Sequence, residues 1–261
     1  MQDVICKRGP IELRLGRWQD VLADVAQCDA VITDPPYGER THGKQHHGRR
    51  PDQVCAGTSG WVSSRGLGYE PITQTDVVSF VDYWSPIVSG WFAIFTCNQM
   101  FSDYQQSLES SGMYCFAPLA CVQRGMNVRL AGDGPSNWTT WLAVARPRHA
   151  PYSKWGTLPG AYIGNPFDPG ENTATAHRRS SVVGSKPLWL MRAIVRDYSR
   201  PGDLIVDPCA GGATTLIAAA IEGRRAIGAE MDPETFRKAC RRIDGGWTPD
   251  LFNGEVASET I

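Results

Sequence analysis

The sequence predicts an α/β fold on a mostly parallel sheet with an antiparallel edge hairpin, and three observations predict it. Ala30-Val31-Ile32, Trp91 to Thr96 and Leu204-Ile205-Val206 are short apolar runs, as expected of strands buried on both faces. Segments with helical spacing lie between them. Two of the runs end abruptly in turn residues, Asp34-Pro35-Pro36-Tyr37 and Asp207-Pro208-Cys209-Ala210-Gly211-Gly212, at the ends of strands where open α/β sheets bind ligands.

In chain order, Ile11 to Leu15 alternates apolar and polar and reads as a strand. Trp18, Val21, Leu22 and Val25 follow at helical spacing, so strand, helix and strand open a βαβ unit. A helix is expected from Asp76 to about Val88, with Val77, Phe80, Val81 and Trp84 on one face. A second is expected from Gln99 to Ser110. Tyr114–Gln123 and Trp138–Ala145 read as a hairpin at a sheet edge. Lys186-Pro187 opens a helix whose apolar face is Leu188, Met191, Ile194, Val195 and Tyr198. After the strand ending at Asp207, a helix runs from Ala213 to Glu222, a strand from Ala226 to Glu230, and a helix from Pro233 to Ile243. Ala213, as the first residue of its helix, is expected at negative φ.

The first strand end carries chemistry. Pro35 and Pro36 fix φ near −65° and donate no hydrogen bond, so the strand must stop. The corner presents the Asp34 carboxylate, the Pro35 carbonyl and the Tyr37 ring. Two acceptors beside an aromatic face suit a planar base with an exocyclic amine. At the second strand end, glycines let backbone amides approach a ligand where a helix begins. Glu230 ends the next strand about 20 residues on, where an acid can bind ribose hydroxyls.

Composition bounds the rest. The 261 residues suit one large domain, or one with an inserted lobe. A net charge of −1 gives no global attraction to nucleic acid, so basic surface must be local. Eight cysteines without a CxxC pair argue against a zinc ribbon or disulfide framework, and for reduced thiols in a cytoplasm. His42, His46 and His47 have no carboxylate or cysteine at a zinc-like spacing, so no metal is expected. No apolar run approaches the ~20 residues of a membrane span.

Local basic clusters do exist. Residues 39–73 form a long Gly-, His-, Arg- and Ser-rich loop containing Arg40, Lys44, Arg49, Arg50 and Arg65. It reads as a flap that meets phosphates beside the Asp34 corner. Residues 146–181 carry Arg148, Lys154, Arg178 and Arg179 interleaved with Tyr152, Trp155, Tyr162 and Phe167, and read as a target-recognition lobe. The expected organisation is a catalytic half (1–145), this lobe (146–181), a cofactor half of the same domain (182–243), and a flexible tail (244–261).

Together the Asp34-Pro35-Pro36-Tyr37 and Asp207-to-Thr215 motifs resemble the amino-methyltransferases of DNA. These are S-adenosylmethionine enzymes that modify the exocyclic amine of adenine or cytosine. With the catalytic motif first, the chain resembles the family's β group. The resemblance implies a Rossmann-like sheet with circularly permuted motif order. It implies catalytic roles for Asp34, Pro35, Pro36 and Tyr37. Cofactor contacts fall to Asp207, Cys209, Ala210, Gly211, Gly212, Thr215 and Glu230, with Lys186 a further candidate. It implies duplex DNA as partner, a homodimer, and a cognate restriction endonuclease as companion. The DPPY form is more typical of adenine, so methylation at N6 is expected. The alternatives are cytosine N4, adenine in RNA, or a non-catalytic module binding cofactor and nucleic acid. The chain departs from the family pattern at Cys209 (usually Phe), at Gly212-Ala213 (usually Ser-Gly), and at Arg17, where an Asp often follows the glycine.

Overall fold

A strand flanked by two neighbours in a sheet covered by helices on both faces has no solvent-facing side, and Ala30, Val31 and Ile32 are fully buried. In the computed structural model they lie in β3 (Cys28–Thr33), paired in parallel with β4 (Val88–Thr96) on one side and β9 (Leu204–Asp207) on the other. The structure describes residues 4–38, 71–123, 137–149, 155–164, 182 and 185–245.

Ten strands among the described residues form one sheet, in the order β1-β2-β10-β9-β3-β4-β7-β6-β8, with β5 also on β7. The remaining strands are β1 (Ile5–Arg8), β2 (Ile11–Leu15), β5 (Met113–Cys115), β6 (Leu119–Gln123), β7 (Thr139–Pro147), β8 (Ala161–Gly164) and β10 (Arg225–Glu230). From β2 to β4 the pairing is parallel throughout. β7 runs antiparallel to β4, β5 and β6.

Alternate residues of a strand face opposite sides of the sheet. Ala30 and Ile32 accordingly join a core with α4 (Leu188–Tyr198), α5 (Thr214–Ile221) and α6 (Pro233–Asp244). Val31 joins the opposite core, with α2 (Gln74–Trp84) and α3 (Phe101–Ser110), while α1 (Trp18–Val21) lends it Trp18. Helices therefore cover both faces, which is what parallel strands of continuous apolar residues require.

The predicted α/β class and its antiparallel extension are present, with three differences in detail. The helix expected to reach Val88 stops at Trp84: Ser85, its C-cap, still has helical backbone, but Pro86 has no N–H to continue the ladder; Val88 opens β4. Its start is set by a reciprocal Thr73–Asp76 capping box. The strand expected over Tyr114–Gln123 is two strands with Pro118 between them, and both pair with β7. The edge beyond them is β8, which follows Trp155 and pairs in parallel with β6. β1 was not apparent from the sequence; it is an exposed four-residue edge strand with no apolar run.

Candidate functional site

Five parallel strands end on one side of the sheet, and the two turn motifs stand there on adjacent strands. Thr33, the last residue of β3, is buried, and its hydroxyl donates to Asp207 Oδ1 at 2.7 Å, across 174 positions of sequence. The same carboxylate oxygen accepts the Cys209 N–H at 3.1 Å. One buried carboxylate thus ties the first strand end to the second.

At the first corner, the prolines carry the chain out of β3 and Tyr37 folds back, its hydroxyl donating to Asp34 Oδ1 at 2.8 Å. Lys186, one residue before the proline that caps α4, reaches across and pairs with Asp34 Oδ2. Its ammonium also donates to the Tyr37 hydroxyl at 3.1 Å, and lies 4.8 Å from the Phe95 ring centroid. Burial and then the Asp34 charge push the Tyr37 phenol well above its ordinary range. The N–H of Ile72 donates to the Tyr37 carbonyl at 3.3 Å.

At the second corner the chain turns through Gly211 at φ +50° and Ala213 at φ +59°. Among the described residues Ala213 is the only non-glycine in the left-handed region. The expectation of a helical φ there is corrected. Ala213 caps the helix rather than starting it, and its N–H donates to the Ala210 carbonyl at 2.7 Å in a tight turn. That backbone stores about 1 kcal/mol of strain. Gly212 is packed closely: a Cβ there would stand 2.6 Å from Ser185 Oγ and 3.2 Å from Val182 Cβ. Arg242 of α6 holds the loop, one guanidinium nitrogen donating to the Gly212 carbonyl and the Thr214 hydroxyl, each at 2.7 Å. Burial lowers its pKa to about 10. Glu230, at the end of β10, accepts the Asp232 N–H at 2.7 Å, and its backbone carbonyl accepts the Gly16 N–H at 2.9 Å. Burial raises its pKa, with Asp232 adding to the shift.

Burial likewise pushes Asp207 up to about 6, against the opposing hydrogen bonds of Thr215, Thr33 and the Cys209 amide. Cys209 remains a thiol, held far above its ordinary range chiefly by burial and then by Asp207.

The structure therefore brings Asp34, Pro35, Pro36, Tyr37 and Lys186 together, and beside them Asp207, Cys209, Ala210, Gly211, Gly212, Thr215 and Glu230. Lys186, grouped with the cofactor residues on sequence, stands at the Asp34 corner instead. Arg148 is exposed just past β7. Arg40, Lys44, Arg49, Arg50, Arg65, Lys154, Arg178 and Arg179 lie outside the described residues. Among the described residues there is no group of three His, Cys, Asp or Glu side chains able to hold a metal, and no helix long and apolar enough to cross a membrane. Thr33 and Arg242 were missed on sequence. The signal for Thr33 was a hydroxyl residue closing an apolar run just before Asp34. Arg242 sits in an Arg-Arg pair whose inward member only packing reveals.

The DNA methylase family model for N6 and N4 enzymes matches residues 137–241, which include Lys186 and the glycine loop. The DNA adenine methyltransferase YhdJ of Escherichia coli (strain K12) is 41% identical over 59 residues, 23% of this chain and 20% of that enzyme. Among solved structures, the M1.HpyAVI–SAM complex aligns with 90% of this chain and 99% of its own, at 19% identity and TM-score 0.64. The PvuII DNA methyltransferase (cytosine-N4-specific) aligns over 95% of both chains, at 14% identity and TM-score 0.60. The structural likenesses define the class of fold, a Rossmann-like α/β sheet. Residues 137–241 carry the pattern of the DNA methylase family of N6 and N4 enzymes.

Two outcomes follow from the loop's physics. Ala213→Gly should raise unfolding free energy by up to about 0.5 kcal/mol, because relief of the left-handed strain slightly exceeds the added freedom of the unfolded chain; urea unfolding measures it. Asp207 keeps its proton in the folded state at pH values where the unfolded chain, at an ordinary 3.8, has lost it. Its stabilising contribution is therefore complete below about 4 and is lost as pH rises through about 6. Asp207→Asn should flatten the fall in melting temperature between pH 5 and 7; an unchanged slope would mean the carboxyl is already ionised at pH 5.

Proposed function

We propose that the protein transfers a methyl group from S-adenosylmethionine to the exocyclic amine, N6, of an adenine flipped out of duplex DNA. The observation that carries this is the Thr33–Asp207 hydrogen bond. It sets an amine-holding corner and a glycine-rich nucleoside loop side by side at the ends of adjacent strands.

The residues fit the cofactor. Gly211 has open space where a side chain would be, the Ser185 hydroxyl is buried beside Gly212 with no hydrogen-bond partner, and Glu230 stands at the end of the neighbouring strand. Asp207, Cys209, Ala210, Gly211, Gly212, Thr215 and Glu230 would hold it. When bound, the cofactor supplies an electrophilic methyl on a sulfonium.

The chain's own residues supply position. The target amine is unreachable inside the base stack, so the base must leave the duplex. Asp34 and the Pro35 carbonyl accept its two N–H groups and fix the plane of the amine, while Pro36 keeps the corner stiff. The Tyr37 ring stacks on the base and screens it from water. A methylated amine is acidic, and the Asp34 carboxylate stands ready to take its proton. Arg148 and the basic residues of 39–73 and 146–181 meet DNA phosphates, with 146–181 reading the target.

Asp34→Ala should reduce methyl transfer at least 1000-fold while leaving calorimetric S-adenosylmethionine affinity within a few-fold, in a tritiated-methyl assay on duplex DNA. Turnover near wild type would remove Asp34 from the mechanism. Digestion of the product to nucleosides and mass analysis identifies the base; N4-methylcytosine in place of N6-methyladenine would reassign the target. Tyr37→Ala should weaken base capture roughly 100-fold, through the lost stacking face. Tyr37→Phe should fall between Ala and wild type, since it keeps the ring and loses the hydroxyl that binds Asp34.

A further inference from the structure

We propose that Lys186 reads the target base, by donating a hydrogen bond to the ring nitrogen adjacent to the amine that Asp34 holds. The proposal rests on the Asp34 corner being the base site, and it names a second contact there.

Lys186 is the residue best placed for this. Its side chain is 9% exposed while Asp34's is 27% exposed, so the ion pair is sheltered yet open on one side. An ammonium has three donors. Asp34 Oδ2 and the Tyr37 hydroxyl take two of them, and the third has no acceptor among the described residues. Each Asp34 oxygen receives one donor, from Tyr37 and from Lys186, and so retains a free lone pair. An acceptor and a donor therefore stand side by side, both held by the phenol that touches them. The ammonium lies over the Phe95 and Tyr37 rings, at 4.8 Å and 5.4 Å from their centroids, which keeps a desolvated charge tolerable.

A carboxylate beside an ammonium complements an amidine, in which an amine donor neighbours a ring-nitrogen acceptor. Adenine presents this with N6 and N1, and cytosine with N4 and N3. Thymine has no amine at all. A lysine or arginine side chain of a protein substrate offers donors and no acceptor, and would repel Lys186. The pair thus selects aminated bases as a class, and the choice between adenine and cytosine is left to the shape of the pocket around them.

The test uses duplex DNA of the methylated sequence in which the target adenine is replaced by 1-deazaadenine, which lacks the ring acceptor, or by 7-deazaadenine, which keeps it. If the product is N4-methylcytosine, 3-deazacytosine takes the first role. Wild-type enzyme should lose roughly 10- to 100-fold in kcat/KM on the 1-deaza duplex, and little on the 7-deaza control. Lys186→Met should lose a similar factor on normal DNA and treat the three duplexes alike. Lys186→Gln, which retains an N–H donor without charge, should recover part of the discrimination. Variants enter the comparison with melting temperature and S-adenosylmethionine affinity matching wild type. Wild-type indifference to the missing nitrogen, or a Lys186→Met variant that still discriminates, would overturn the assignment while leaving Asp34 in place. Absence of transfer by wild type to any DNA would overturn the methyltransferase reading and this one with it.

Discussion

Two acids that matter to this molecule stand at the ends of adjacent strands, and a single threonine hydroxyl connects them. Thr33 closes β3 and Asp207 closes β9, and the hydrogen bond between them is buried. Such a bond contributes only about 1 kcal/mol net, but leaving Asp207 without it would strand a buried polar group at greater expense. Its larger effect is geometric. It fixes the height of the Pro35-Pro36 corner relative to the glycine loop, so the two halves of the site share one reference point. Arg242 does the same for the loop from behind, and Lys186 for the corner from in front.

Those three residues come from three different helices or strand ends, and none belongs to either motif. The motifs supply the groups that face a ligand, whereas the surrounding chain supplies their coordinates. This division explains why Asp207 carries a raised pKa although it sits among three hydrogen-bonding neighbours. Burial that deep opposes ionisation more strongly than Thr33, Thr215 and one amide favour it. The strain at Ala213 has a similar origin. The turn demands a left-handed residue, and the chain places an alanine there.

Much of the architecture was legible because it obeys local rules. Runs such as Ala30-Val31-Ile32 have the composition of strands covered on both sides, and Pro187 and Pro233 mark helix starts. The Asp34 and Asp207 corners were legible because proline and glycine constrain backbone in known ways. What could not be read was set by pairing across the fold. β1 has no apolar signature, as an edge strand needs none. The break between β5 and β6 depends on both finding β7. Lys186 lies 152 positions from Asp34, and no periodicity in one segment reveals a salt bridge to another. The left-handed φ of Ala213 was misread because alanine ordinarily signals helix, and the turn's demands overrode that preference.

The strand order has a consequence for how the protein is made. β2 and β3 are neighbours in sequence, yet β10 and β9 lie between them in the sheet. As the chain leaves the ribosome, both early strands therefore expose open edges until β9 and β10 arrive to fill the gap. The centre of the sheet is the last part to close, and the site at its strand ends cannot exist before then. A nascent chain of this protein carries its Asp34 corner as an unsupported turn until β9 emerges, with no glycine loop opposite it. Long-range parallel pairing of this kind folds slowly and leaves β-edges open to wrong partners in the meantime.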